Sequence, residues 1–155
     1  MLAIGPITPA EDGAVEATLR SLPAWFGIES AILMYIEDAR REPTFVARVD
    51  GKVAGFVTLR EHYALAAEIH CMAVRPEYHR RGVGRALVEF STRHLGDQGV
   101  RFLQVKTMGE SKPNREYEMT RQFYMAVGFT PIEEFKGFWS GLPALLLIKA
   151  IEARR

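Results

Sequence analysis

The sequence has one cysteine, Cys71, in 155 residues. An intramolecular disulfide and a cysteine-based metal cage are both excluded, and no metal is expected. Long apolar runs are missing too. The longest near the C-terminus, Ala144 to Ile148, falls far short of the ~20 residues that span a bilayer. The opening MLAIGPITPAEDG has no basic region followed by an apolar one, so it does not read as a secretory signal. No membrane partner is expected, and a soluble cytoplasmic protein follows by default. Charge of one sign is scarce: 20 Lys and Arg against 19 Asp and Glu leave a net charge of +1. That balance argues against a surface that coats nucleic acid. Repeats, low-complexity segments and dividing linkers are absent. Residues 1–155 are therefore expected to form a single domain, with enough apolar content (48%) for one core.

What is present is alternation and helical period in a mixed order. Leu2 to Ile7 reads as a strand. Thr8-Pro9-Ala10-Glu11 is a capping-box pattern with proline at the first helical position. It predicts a helix to about Ser21 with Val15, Leu19 and Leu22 inward. A second helix, about Ile28 to Arg41, repeats apolar residues at Ile28, Ile32, Tyr35, Ile36 and Ala39. Thr44 to Val49 and Lys52 to Arg60 alternate around Asp50-Gly51, a two-residue hairpin turn. A strand from Ala66 to Val74 and a helix with Val83, Leu87, Phe90 and Leu95 on its apolar side come next. Phe102 to Thr107 is a strand, 109–116 a polar loop, and Tyr117 to Val127 a helix closed by Gly128. Thr130 to Phe135 and Ala144 to Ile151 are the last strands, with Trp139 in their connection. The order predicts an α/β mixed sheet of about seven strands with helices on both faces.

The stretch from Glu68 to Gly99 carries the strongest chemical signal. Its strand ends at Pro76, and a loop with Arg75, His79, Arg80, Arg81, Gly82 and Gly84 runs straight into the helix. A helix start exposes unpaired N–H groups and partial positive charge. The glycines let backbone approach a ligand closely. Together these make a site for a phosphate-bearing anion. No Walker A loop is present, and Gly82-Val83-Gly84-Arg85-Ala86-Leu87 lacks the third glycine of the dinucleotide fingerprint. Read without further context, the same stretch is a strand–loop–helix connection with solvated arginines.

His79-Arg80-Arg81-Gly82-Val83-Gly84 resembles motif A of the GNAT N-acetyltransferase family, Gln/Arg-x-x-Gly-x-Gly/Ala, with His79 where Gln or Arg is usual. Phe123-Tyr124-Met125-Ala126-Val127-Gly128-Phe129 is similar to that family's Phe-Tyr-x-x-x-Gly-Phe. The element order fits as well, so the resemblance covers nearly the whole chain. It implies acetyl-CoA as cosubstrate and an amine as acceptor. It also implies central parallel strands that splay apart, with the pantetheine arm pairing along Glu68 to Val74. The implied cofactor contacts are Met72, Ala73, Val74, His79, Arg80, Arg81, Gly82, Val83, Gly84 and Arg85.

Acetyl transfer makes further demands. A primary amine must lose a proton before it attacks a thioester, so a base is needed, directly or through water. Glu68 is the candidate, as the resemblance implies for a glutamate on this strand; otherwise it is a strand-end carboxylate bonded to Arg or water. His70 shares its face and is the alternative base or relay, or else a structural histidine. The amide N–H of Met72 or a neighbour would serve a tetrahedral oxyanion. Tyr124 is implied as the acid that protonates the departing thiolate. Met119, Phe123, Ala126 and Val127 complete an apolar stripe, and Tyr124 lies about 115° from its centre at ~100° per residue. It is thus expected to point away from the core, and a boundary tyrosine is the other reading. Cys71, on the opposite face from Glu68 and His70, reads as a buried structural thiol. Trp25, Phe26 and Trp139 line the acceptor pocket by resemblance, or are plain core. A non-catalytic acyl-CoA-binding module and a nucleic-acid binder using Arg75 to Arg85 are the competing classes, the second disfavoured by charge. The acceptor is not readable, and a homodimer stays open.

Overall fold

The computed structural model describes residues 1–152. Its elements are β1 (Leu2–Pro6), α1 (Ala14–Arg20), α2 (Glu29–Arg41), β2 (Thr44–Val49), β3 (Lys52–Tyr63), β4 (Ala66–Val74), α3 (Val83–Asp97), β5 (Phe102–Met108), α4 (Arg115–Ala126), β6 (Thr130–Trp139) and β7 (Leu142–Ala150). The strands form the expected seven-stranded mixed sheet, in the order β1-β2-β3-β4-β5-β7-β6. β4 and β5 pair in parallel, Ala66–Ile69 against Phe102–Val105, as a strand–helix–strand crossover through α3 requires. β1–β2, β2–β3, β5–β7 and β6–β7 are antiparallel. Backbone contacts divide the chain into two compact units, Met1–Arg60 with His70–Ser91, and Glu61–Ile69 with the chain from Thr92 on.

The predicted hairpin turn forms as written, while β3 continues past Arg60, its predicted end, to Tyr63. Asp50 and Gly51 have φ of 50° and 82°, the paired positive values of the tight turn that matches strand twist. Val15, Leu19 and Leu22 of the α1 region pack with Ile32, Ile36 and Ala39 of α2 onto Val46, Phe56, Cys71 and Ala73 of the sheet. β3 and β4 approach closely at one point: a Cβ on Gly55 would stand 2.7 Å from the Ala73 carbonyl oxygen. The first helix is shorter than predicted. The Thr8 capping box closes a 3-10 turn over Pro9–Glu11, and α1 begins only at Ala14, after Gly13. Glycine is a poor helix former, and Gly13 separates the capped turn, whose Glu11 also pairs with Arg48 at 2.6 Å, from the helix. Ile28, expected on the inner stripe of α2, precedes that helix and is exposed.

In the second unit β5 pairs with β7 along its whole length, Phe102↔Ala150 through Met108↔Ala144. β6 and β7 reach further toward their turn than predicted, because Ser140 and Gly141, with φ of 47° and 89°, close a tight hairpin. Trp139 therefore ends β6 instead of lying in a connection. α4 begins earlier than predicted, at Arg115, because the Asn114 side chain accepts a hydrogen bond from the Tyr117 amide at 3.0 Å.

Candidate active site

In the first unit, β4 runs into a 3-10 turn over Pro76–Tyr78, and α3 starts at Val83. The segment between them contains two left-handed residues, Arg80 at φ 60° and Gly82 at φ 80°. Such a conformation is rare for a non-glycine residue and turns successive amides toward one side. No atom lies within 4 Å of where a Gly82 Cβ would stand. Glycine is required there by its backbone angle, and the space beside it is open. The Ala86 amide donates to the Gly82 carbonyl at 3.0 Å. The amides of Val83, Gly84 and Arg85 precede that first helical bond and have no i−4 acceptor within α3. Arg80, Arg81, Gly82 and Arg85 are exposed, whereas Val83 is buried as the first core anchor of the helix. Arg75 Nε is buried without a hydrogen-bond partner among the described residues. The loop thus fits an anionic pyrophosphate by backbone shape, open space and charge.

His79 has a different task from the Gln or Arg it replaces. Its Nε2–H donates to the Val74 carbonyl at 2.7 Å, and the Trp25 indole meets its ring edge-on at 6.0 Å. A carbonyl only accepts, so Nε2 carries the hydrogen. The histidine staples the loop to the end of β4. Met72 and Val74 are half-buried, and Ala73 is buried. Trp25 and Phe26 pack on the core of this unit, Phe26 edge-on to Tyr35.

His70 belongs to this unit as well. Its Nε2 lies 2.8 Å from Asp38 on α2, its ring meets Tyr35 at 5.5 Å, and its side chain is only 12% exposed. Asp38 also faces Arg60 at 3.5 Å. Cys71 is buried and free, and burial pushes its thiol well above the ordinary range. Such a thiol is no nucleophile.

Glu68 lies in the second unit and is 6% exposed. Its Oε1 is 2.6 Å from His62 Nε2, and its Oε2 accepts from Lys106 Nζ at 3.2 Å. Gln104 Nε2 also donates to Oε1, at 3.4 Å. Burial acts to raise the carboxyl, but the His62 hydrogen bond and the Lys106 charge and hydrogen bond outweigh it, leaving the group below its ordinary value. Lys106 in turn lies 5.5 Å over the Phe138 ring of β6. The sequence reading missed His62, Lys106 and Asp38. One signal for Lys106 was legible: Gln104 and Lys106 alternate with Leu103 and Val105, which places both polar side chains on one face of a strand that neighbours Glu68.

Tyr124 corrects the helical-stripe argument. Among the described residues of α4 the buried positions are Arg121 and Tyr124, with Val127 just beyond, while Met119 and Ala126 are exposed. Arg121 turns inward because its guanidinium donates to the Met108 carbonyl at 2.6 Å, a satisfaction that apolar counting cannot see. Tyr124 therefore points into the unit, its ring edge-on to Phe123 at 5.2 Å and Phe129 at 5.4 Å. Trp139 is half-buried beside Phe138 at 5.6 Å. Among the described residues no group of three or more His, Cys, Asp or Glu is placed to hold a metal ion, and no helix is long and apolar enough to cross a membrane.

The model of the acetyltransferase (GNAT) family matches residues 13–129. The chain belongs to this family. An uncharacterized N-acetyltransferase of Methanocaldococcus jannaschii is 31% identical over 100 residues, 61% of this chain and 42% of that protein. The chain thus spans less than half the length of this curated relative. Among solved structures, a candidate GNAT acetyltransferase from Desulfovibrio desulfuricans superposes with TM-score 0.85 at 21% identity, covering 98% of this chain and 100% of that one. A GNAT acetyltransferase from Elizabethkingia anophelis with acetyl-CoA bound gives TM-score 0.73 at 16% identity, covering 96% and 97%. At these identities the likeness shows a shared GNAT fold. Motif A and Phe123–Phe129 of this GNAT chain both fall within the matched residues.

Proposed function

We propose that this GNAT chain works as a single cytoplasmic acetyltransferase domain that moves the acetyl group of acetyl-CoA to a primary amine by direct attack. The observation that carries the reading is the loop at 79–85: two left-handed residues, an open Gly82 and a helix start flanked by arginines. Backbone amides of Val83, Gly84 and Arg85 and the side chains of Arg80 and Arg81 would hold the pyrophosphate. Met72, Ala73 and Val74 would meet the pantetheine arm, with the Met72 amide as oxyanion donor. Acetyl-CoA supplies the thioester carbon that the amine attacks. Glu68 is the carboxylate behind removal of the amine's proton, directly or through a relaying group, and its pairing with Lys106 keeps it ionised for that purpose. Tyr124, buried on α4, would hold the proton for the leaving sulfur. Trp25, Phe26 and Trp139 are assigned to the acceptor side.

Acetyl-CoA at about 100 times its dissociation constant should stabilise the chain by roughly 2.7 kcal/mol, read as a rise in melting temperature of several degrees. Gly82→Val should abolish the rise, since a β-branched residue fits neither φ 80° nor a bound pyrophosphate. A folded Gly82→Val that binds as tightly as wild type would move the cradle elsewhere. Acetyl-CoA binding with no thiol release in the presence of any amine would leave the non-catalytic binding module in place of the enzyme.

A further inference from the structure

Resting on the acetyl-transfer reading, we infer that His62 at the end of β3 is the group that takes the amine's proton, and that Glu68 is its positioning carboxylate. Glu68 is held ionised by Lys106 at 3.2 Å, and an ionised carboxylate only accepts. The 2.6 Å contact between His62 Nε2 and Glu68 Oε1 therefore requires the hydrogen to sit on Nε2. A neutral imidazole protonated at Nε2 has a lone pair on Nδ1. No other hydrogen bond of the His62 ring is found among the described residues. A buried carboxylate that fixes the tautomer and steadies the imidazolium is the arrangement by which a histidine becomes an effective base.

Access separates the members of the cluster. The Glu68 side chain is 8% exposed and its oxygens are taken by three donors, whereas His62 is 36% exposed. An incoming amine can reach the imidazole without breaking the Lys106 pair. His70 has a carboxylate partner too, but at 12% exposure it is covered, with Tyr35 against its ring. Through hydrogen bonds and ion pairs among the described residues, the charged groups beside His62 are Glu68 from β4 and, behind that carboxylate, Lys106 from β5, while Glu61 and Tyr63 flank it along β3 on the alternate face.

The amine nitrogen forms the new bond to the acetyl carbon while its proton passes to His62 Nδ1. The resulting imidazolium is paired with Glu68. The carbon–sulfur bond breaks, and the sulfur takes a proton from the Tyr124 hydroxyl. His62 then gives its proton to water, and Tyr124 recovers one.

Two measurements decide it. Imidazole nitrogen correlation NMR at neutral pH, with the His62 signal assigned by its loss in His62→Gln, should show the Nε2–H tautomer in the free chain; Nδ1–H would overturn the inference. In Glu68→Gln the amide can donate to Nε2, so the preference should shift to Nδ1–H. Thiol release from acetyl-CoA is then followed with spermidine, tyramine and an alanine-initiated peptide as probe amines. With the fastest of them, His62→Gln should lose about 10²- to 10⁴-fold in kcat/KM at neutral pH. It should also lose the acid limb of the pH profile, recover toward high pH, and keep its melting shift with acetyl-CoA. An unchanged rate and acid limb in His62→Gln, or loss of the limb in His70→Gln instead, overturns the assignment while acetyl transfer stands. No thiol release by the wild type with any amine overturns acetyl transfer itself, and the base assignment with it.

Discussion

Lys106→Met tests how the buried carboxylate is held. The pair is 3.2 Å apart, with the Glu68 side chain 8% and Lys106 22% exposed. At an effective dielectric of about 20 the bare attraction is about 5 kcal/mol, and much of it is offset by desolvation of both ions. Removing the sole partner of a buried charge costs about 3–5 kcal/mol. Here His62 and Gln104 remain, so the expected loss is about 2 kcal/mol, or roughly 4–8 °C in Tm for a chain of this size. The pH dependence has a definite sign. Glu68 is depressed in the folded wild type, so its contribution is present above the unfolded carboxyl value and fades as pH falls through the folded one. Without Lys106, burial is opposed only by the His62 and Gln104 hydrogen bonds, and the carboxyl protonates at higher pH. The difference between wild type and Lys106→Met should be largest near pH 8 in urea unfolding and shrink toward acid, where Glu68 is neutral in both. In a double-mutant cycle with Glu68→Gln the coupling should be about 1–2 kcal/mol. Additive losses, or a variant within about 0.5 kcal/mol of wild type at pH 8, would refute the reasoning.

Two further outcomes follow from other contacts. Tyr124→Phe should slow acetyl transfer about 10²- to 10⁴-fold while acetyl-CoA affinity holds; turnover within about twofold of wild type would make Tyr124 a packing residue only. Glu11, gripped by both Arg48 nitrogens at 2.6 Å, is lowered from 4.5 to about 2. Its stabilisation is therefore full above pH 4.5 and fades from there toward 2. Arg48→Met should raise the pH midpoint of acid unfolding, and an unmoved midpoint would show that other carboxylates govern it.

Much of this architecture could be read along the chain, because alternation and turn chemistry are local. Asp50-Gly51 fixed one hairpin, and Gly82 with its arginines marked the loop before α3. The errors came where a distant partner decides. Glu11 does cap Thr8 as its spacing predicts, but Arg48, far along the chain, holds it too, and the cap closes a 3-10 turn while α1 begins only after Gly13. Arg121 looks like a surface residue until the Met108 carbonyl satisfies it, and the inward face of α4 rotates toward Tyr124. Glu68 was found by its place on the strand. His62 and Lys106 were not, since sheet pairing brings them to the carboxylate from 6 and 38 residues away. The candidate site was legible as a set of residue types; which atom faces which was not.

Transfer itself is the most direct test. Wild-type chain, acetyl-CoA labelled in its acetyl group and each amine of the probe panel are incubated together. Thiol is counted by colorimetry and labelled amide by mass spectrometry. The account predicts, for at least one amine, one labelled amide per thiol released, with both products lost in Gly82→Val. Thiol that appears without amine dependence and without amide would mean hydrolysis, and would contradict acetyl transfer.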